Sequence, residues 1–317
     1  MRASVHVATR LARDRATRFR GGVEARLTQR FDGLRRFGGR EHVALTLSIV
    51  ALAWVALPLV APFEDACIVH PSPPGAPLLR APSPEFFLGT DTIGRSEALR
   101  LAFALRTSTG LALPATLLAT MLAVPLGALA ALAASRRDRR AFSLSFDDLF
   151  TLVVDVLLAL PFLLVVAAAA ALVDDVTALH LVAVMTFASL PATAKLVRDR
   201  ALFLHARGYV QAAYAVGASG WQVLVRHVLP PCARFALTLA PTTFAQLVVA
   251  EAALGYLGLG LPPPAATLGS MLADGQDTFT DAPWLLVVPC VALVTLVLGA
   301  EAFSRVLDGS SREAEHG

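Results

Sequence analysis

The chain has 317 residues, of which 56% are hydrophobic and only 16% charged, against roughly 25% charged in ordinary soluble domains. Its mean hydropathy is +0.64, more apolar surface than a chain of this size can hide from water, so lipid is the expected solvent. The net charge of +3 names no partner, and the three scattered cysteines, Cys67, Cys232 and Cys290, suggest neither a disulfide framework nor a thiolate metal site.

Residues 1–42 form a basic segment with eleven arginines. It is too long to read as a cleavable signal peptide. Within it Phe19, Val23, Leu27, Phe31 and Leu34 recur at near-helical spacing. That pattern suits either a helix lying on membrane lipid or a basic arm that enforces topology. Nothing beyond charge suggests nucleic acid.

Six apolar stretches follow, at 43–61, 107–135, 149–173, 176–194, 235–258 and 282–300. Each is near or above the ~20 residues a helix needs to cross a bilayer. None alternates polar and apolar residues, which excludes a β-barrel. Arginine and lysine crowd 1–42, the loop at 136–140 and the loop at 195–234, with Arg305 and Arg312 after the last stretch, against Arg80, Arg95, Arg100 and Arg106 in 62–106 and none in the other two outer loops. By the positive-inside rule the crowded parts and the tail are cytoplasmic. The expectation is an all-α membrane protein with six transmembrane helices, both termini cytoplasmic, in one domain over 43–305. Its outer loops lie at 62–106 and 259–281. Residues 94–106 read as a helix lying flat at the outer surface, or as an extended loop.

Three motifs imitate enzymes. GTDTIGRS at 89–96 mimics a P-loop, but no strand leads into it and it falls on the outer face. GASG at 217–220 resembles the nucleophile motif of intramembrane serine proteases, yet no histidine lies at a matching depth. Gly255, Gly258 and Gly260 invert a dinucleotide fingerprint, and such a cluster at a helix end more often means close packing or a turn. No catalytic residue, bound cofactor or metal site is expected.

The cytoplasmic loop 195–234 carries a pattern of its own. Residues 209–216 are good helix formers, and GASG breaks them. Ser219 with Gln222 fits a capping box. Trp221, Leu224, Val225 and Val228 then fall on one helical stripe, and Pro230 and Pro231 should stop that helix. The reading is two short helices meeting at a glycine corner, with an apolar stripe available to seat another subunit or to pack on the chain's own spans.

QAAYAVGASGWQVLVRHVLP, at 211–230, resembles the EAA loop of ABC-importer membrane subunits. FLGTDTIGRSEALRLAFALRTS at 87–108, DVLLALP at 155–161 and AEAALGYLGLGLPPPAATLGSMLADGQD at 250–277 resemble blocks of the dipeptide/oligopeptide/nickel branch, C-type subunit. The likeness covers about 43–305 and implies type I importer permease architecture and a non-catalytic subunit of an ATP-driven importer for peptides or similar small solutes. It also implies a homologous B-type permease, two cytosolic ATPases that carry the ATP and magnesium, and an extracellular substrate-binding protein. Carried over, Gln211, Ala212, Ala213, Gly217, Trp221, Leu229 and Pro230 form the ATPase-coupling set. Gln211 stands where the family usually has glutamate, Ser96 where it has aspartate, and Leu268 where it has tryptophan.

Two acids sit inside apolar stretches. Asp155 is expected to approach arginines of the inner face. Glu251 either shapes a translocation path or gate together with Gly255, Gly258 and Gly260, or accepts hydrogen bonds from the backbone of the turn that follows. A stand-alone ion-coupled carrier would show a complete repeat and more intramembrane charge.

Overall fold

The computed structural model describes residues 46, 49, 78–135, 146–171 and 176–316. The expected first span at 43–61, the basic segment 1–42, Cys67 and the arginines at 136–140 lie outside, or almost wholly outside, the described residues. From residue 78 onward all described helices belong to the unit Leu47–Gly317. They are α1 (Glu97–Ser135), α2 (Phe146–Ala159), α3 (Phe162–Ala171), α4 (Ala178–His205), α5 (Gly208–Ala215), α6 (Gly220–Val223), α7 (Leu229–Tyr256), α8 (Leu268–Asp277) and α9 (Trp284–His316). Among the described residues no strand forms, only an isolated bridge between Thr90 and Ser96.

Among the described residues four helical rods are long and apolar enough to cross a membrane: Glu97–Ser135, Ala178–His205, Gly220–Tyr256 and Trp284–Asp308. The pair α2–α3 would make a fifth, but it bends by 88°. The sequence predicts one straight span there. Pro161 explains the difference, because its ring cannot donate to, and clashes with, the preceding turn. The amides of Leu164 and Val165 both bond the Pro161 carbonyl as α3 restarts.

The expected flat outer helix at 94–106 is not separate. Residues from Glu97 run without a break into the span, giving one helix of 39 residues, roughly 58 Å long. Its first turns carry buried Leu101, Phe103, Ala104 and Leu105, so they pack on the bundle instead of lying along its surface.

Small residues set the main helix pair. Ala112, Ala115, Ala119 and Ala123 of α1 are fully buried at three- and four-residue spacing, the face of one helix, and Ala128 and Ala131 are fully buried further along it. At Gly127 a Cβ would lie 2.5 Å from the Ala194 carbonyl oxygen and 2.8 Å from the Arg198 amide of α4. Small residues of this kind let two backbones approach where lipid gives no hydrophobic drive to association.

The outer loop predicted at 259–281 contains α8, capped by Thr267 and Ser270 in a reciprocal box. Leu268, Met271 and Gly275 are buried in it, so much of this segment is core. Gly269 is the tightest point. A Cβ there would collide with the Ala252 carbonyl oxygen and come within 2.8 Å of Gly255 Cα. Replacing Gly269 with valine should force α7 and α8 apart and cost about 1–3 kcal/mol, measured as a lower midpoint of thermal unfolding in detergent.

Candidate functional site

Two features stand out, one at the α5 end of the bundle and one in its flank. At the α5 end, α5 stops at a left-handed glycine: Gly217 has φ +89°. The Gly217 amide bonds the Tyr214 carbonyl and the Ala218 amide bonds the Ala213 carbonyl, which is the Schellman arrangement. Next, Ser219 caps the following helix. Its hydroxyl accepts from the Gln222 amide, and the Gln222 side chain accepts from the Ser219 amide at 2.8 Å. The predicted corner and capping box are both present.

The helix after the corner does not stop at Pro230 and Pro231. It continues through a π turn, Leu224–Val228, into α7. The Leu229 amide bonds the Leu224 carbonyl, five residues back. A wide turn placed just before two residues that lack N–H groups takes up their missing donors, so the rod survives. The corner therefore stands at the head of a span.

The predicted apolar stripe divides. Leu224 and Val228, with Val223, are buried against Val124 and Ala128 of α1 and Val197, Ala201 and Leu204 of α4. Trp221 is 61% exposed and Val225 42%, and beside them lie Val216 at 87% and Tyr209 at 49%. These four project from the corner. Ala212 is exposed, and Ala213 and Leu229 are half-buried on the core side. Pro230 is exposed. Gln211 turns back: its side-chain amide donates to the His205 carbonyl at 2.7 Å.

The flank holds a cleft of about 610 Å³ between α3, α4, α7 and α9. Most of its wall is aliphatic, with Ser189, Thr193, Thr242, Thr243, Gln246 and Glu301 among the lining. The hydroxyls of Ser189, Thr193 and Thr243 donate to carbonyls of their own helices. Each oxygen is left with acceptor capacity only. Glu301 is the one charged residue in this wall, and sequence reading passed over it because it follows the last apolar stretch.

A model for "Binding-protein-dependent transport system inner membrane component" matches residues 123–312. The chain belongs to this family. A peptide transport system permease of Brucella suis is 33% identical over 280 residues, covering 87% of this chain and 86% of the relative. A glutathione transport system permease of Pectobacterium atrosepticum is 29% identical over 270 residues, 85% of each chain. An oligopeptide transport system permease of Mycobacterium tuberculosis is 26% identical over 292 residues, 90% of this chain and 96% of the relative. The importer-permease resemblance in the sequence is thus confirmed, and the permease is a multi-pass protein of the cytoplasmic membrane.

The other predicted residues of the permease lie away from the cleft. Glu251 is 1% exposed, and neither carboxylate oxygen has a hydrogen bond in the structure. Its polar neighbours are the hydroxyls of Ser108 and Thr267. The expectation that it bonds the following turn is not met, because that turn satisfies itself. The Gly258 amide bonds the Gly255 carbonyl and the Leu259 amide bonds the Leu254 carbonyl, a second Schellman cap with Gly258 at φ +76°. Gly255 and Gly260 are packing positions: Cβ atoms there would lie 2.9 Å from Thr267 Oγ1 and 2.8 Å from Gly255 Cα respectively. None of these four residues lines the cleft.

The protease reading finds no support. The Ser219 oxygen is committed to its cap, and His180 is bonded to Thr177 at the far end of α4.

Charges brace the permease at both ends. Asp91, 1% exposed, accepts from the Arg95 amide at 2.7 Å and Arg95 Nε at 2.6 Å, and Arg100 joins it to Asp274 of α8 at 2.6 Å. At the other end Arg198 grips both oxygens of Asp147 at 2.5 and 2.8 Å. Asp155 meets Lys195 at 2.6 Å with both side chains about half exposed, a lysine in place of the expected arginines. Asp91→Ala removes the buried acceptor shared by the Ile93 and Arg95 amides and both guanidinium groups, with Arg100 keeping Asp274, and should cost about 3–5 kcal/mol. Lys195→Met should cost no more than ~1 kcal/mol. Paired unfolding curves of the two variants check the contrast.

Proposed function

We propose that this permease is one of two homologous halves of an importer for peptides or similar small solutes. It would have six spans and both termini in the cytoplasm, with the arginine-rich α5 end facing inward. The partner set read from the family is a second six-span permease, two cytosolic ATPases and an extracellular substrate-binding protein. Hydrolysis of ATP, with its magnesium, belongs to the ATPases.

One observation carries the coupling role. A corner built by two helix caps holds Trp221, Val225, Val216 and Tyr209 out from the bundle while their stripe-mates are buried. Capping and positive-φ glycine make the corner stiff, and an exposed apolar cluster on a polar surface marks a contact site. Its occupant under this reading is an ATPase groove, with tryptophan as the anchor. Gly217 sets the corner, Ala212 leaves room beside it, and Leu229 with Pro230 joins it to the span.

The cleft supports the solute class. Its polar wall offers acceptors: hydroxyl oxygens whose protons are spent, the Gln246 carbonyl and the Glu301 carboxylate. Solutes rich in N–H donors, as peptides are, suit such a wall. The opposite wall would come from the second permease, and Glu251 acts at the outer junction and not in the path.

Trp221→Ala should weaken ATPase retention by about 2 kcal/mol, roughly thirtyfold in affinity, with normal membrane insertion. Affinity purification from membranes with quantitative mass spectrometry measures it. Full retention of the ATPases by this variant, with full uptake of a labelled mixture of short peptides, would sink the docking assignment.

A further inference from the structure

The elbow between α4 and α5 is two residues long, Ala206 and Arg207. Three contacts stiffen it. Val210 is fully buried in the core. The Tyr214 ring stacks on His205, centroids 6.3 Å apart. Gln211 crosses the joint: its backbone amide makes α5's first-turn bond to the carbonyl of the N-cap Arg207 at 3.1 Å, and its side-chain amide reaches back to the His205 carbonyl of α4 at 2.7 Å. The carbonyls in a helix's last turn have no intrahelical donor. Gln211 supplies one to His205 from the next helix.

We propose that Gln211 is a positioning residue that locks α5 to the end of α4, so that load applied to α5 moves α4 as one body. This rests on α5 being the docking element, but the lock itself is a property of the chain alone. The chemistry discriminates sharply. A carbonyl accepts only, so the partner has to carry an N–H or O–H. A glutamate at this position is ionised at neutral pH and accepts only. It would face the His205 carbonyl oxygen with a second acceptor and open the elbow. The glutamine is therefore a working part of this joint, its side-chain amide committed to the His205 carbonyl although the residue is exposed.

The test is a distance measurement across the joint. Spin labels are placed on cysteines at Leu179, near the start of α4, and Ala215, at the end of α5, in the full chain with Cys67, Cys232 and Cys290 replaced by alanine. The intact transporter is held in lipid nanodiscs, and electron–electron dipolar spectroscopy is recorded with and without ATP–magnesium and vanadate. With Gln211 the distance distribution should be narrow and unchanged by nucleotide. Gln211→Met and Gln211→Glu should broaden it, raising the population of bent elbows roughly fivefold, the factor expected for one lost hydrogen bond. Gln211→Lys, which can still donate, should restore the narrow distribution, a rescue that a mere packing role would not give. Distributions for the methionine and glutamate variants as narrow as with Gln211 would overturn the proposal. So would loss of the ATPases from those variants with the distance unchanged, since Gln211 would then touch the motor itself. If the unaltered chain retains no ATPase, the docking assignment fails and the distance result still decides the lock.

Discussion

A backbone N–H or C=O left without a partner is costly, most of all in hydrocarbon, and the places where this chain departs from straight helix find such partners. At Pro161 the amides of Leu164 and Val165 close on the proline carbonyl. At 216–218 and again at 257–259, a glycine in the left-handed region folds the last amides back onto the helix they leave. Before Pro230 and Pro231 the helix widens into a π turn, which lets the rod pass two residues without donors. Hydroxyls obey the same rule: Thr109, Thr116, Thr120 and Thr186 each donate to a carbonyl four residues back in their own helix. Bends and polar side chains are thus admitted only where the backbone can absorb them, and the Gly217 corner and the cleft are built from such places.

The ion pairs follow a related logic. Desolvated charge is tolerated when several donors converge on it, as on Asp91, where two backbone amides and two guanidinium groups meet. This node ties the segment before α1 to α8 through Arg100 and Asp274. Glu251 has no such set, and sits between α1, α7 and the α8 cap with only hydroxyl neighbours. Ser108 and Thr267 each already accept a backbone amide of the α8 segment, from Leu268 and Ser270. Their remaining protons are the groups nearest to hand for the carboxyl. That arrangement makes the α7–α8 junction a polar seam inside a glycine-packed contact.

Much of this was legible in the sequence because the signals are local. Apolar runs located the four described spans, Ser219 and Gln222 announced their cap three residues apart, and Gly217 marked the corner. What escaped depends on context. Prolines 230 and 231 stop a regular helix, but a π turn depends on cooperative backbone register that no single residue announces. Leu268–Asp277 looks like an outer loop by its charges, yet its buried Leu268 and Met271 are core residues seen only once α7 and α9 lie beside them. Glu301 lies just beyond an apolar run, and only the neighbouring helices make it part of a cleft. Gln211 was read by its place in a motif. Its partner is a backbone carbonyl six residues earlier, and any residue at that position would present the same group.

These parts join along one rod. The helix that begins beside Trp221 runs as Gly220–Tyr256 for 37 residues, roughly 55 Å. It passes the cleft at Thr242, Thr243 and Gln246 and ends on the junction that holds Glu251. A push on the corner has two ways into the bundle, this rod and α4. The rod contains a soft point, the π turn, but Leu224 and Val228 of that turn are buried among α1 and α4 side chains, so it is clamped where it would yield. α4 is reached through the two-residue elbow and through the buried contacts of Val223, Leu224 and Val228 with Val197, Ala201 and Leu204. The two routes flank the cleft, α4 supplying Ser189 and Thr193 and α7 supplying the facing threonines. If both routes are stiff, the walls move together with the corner.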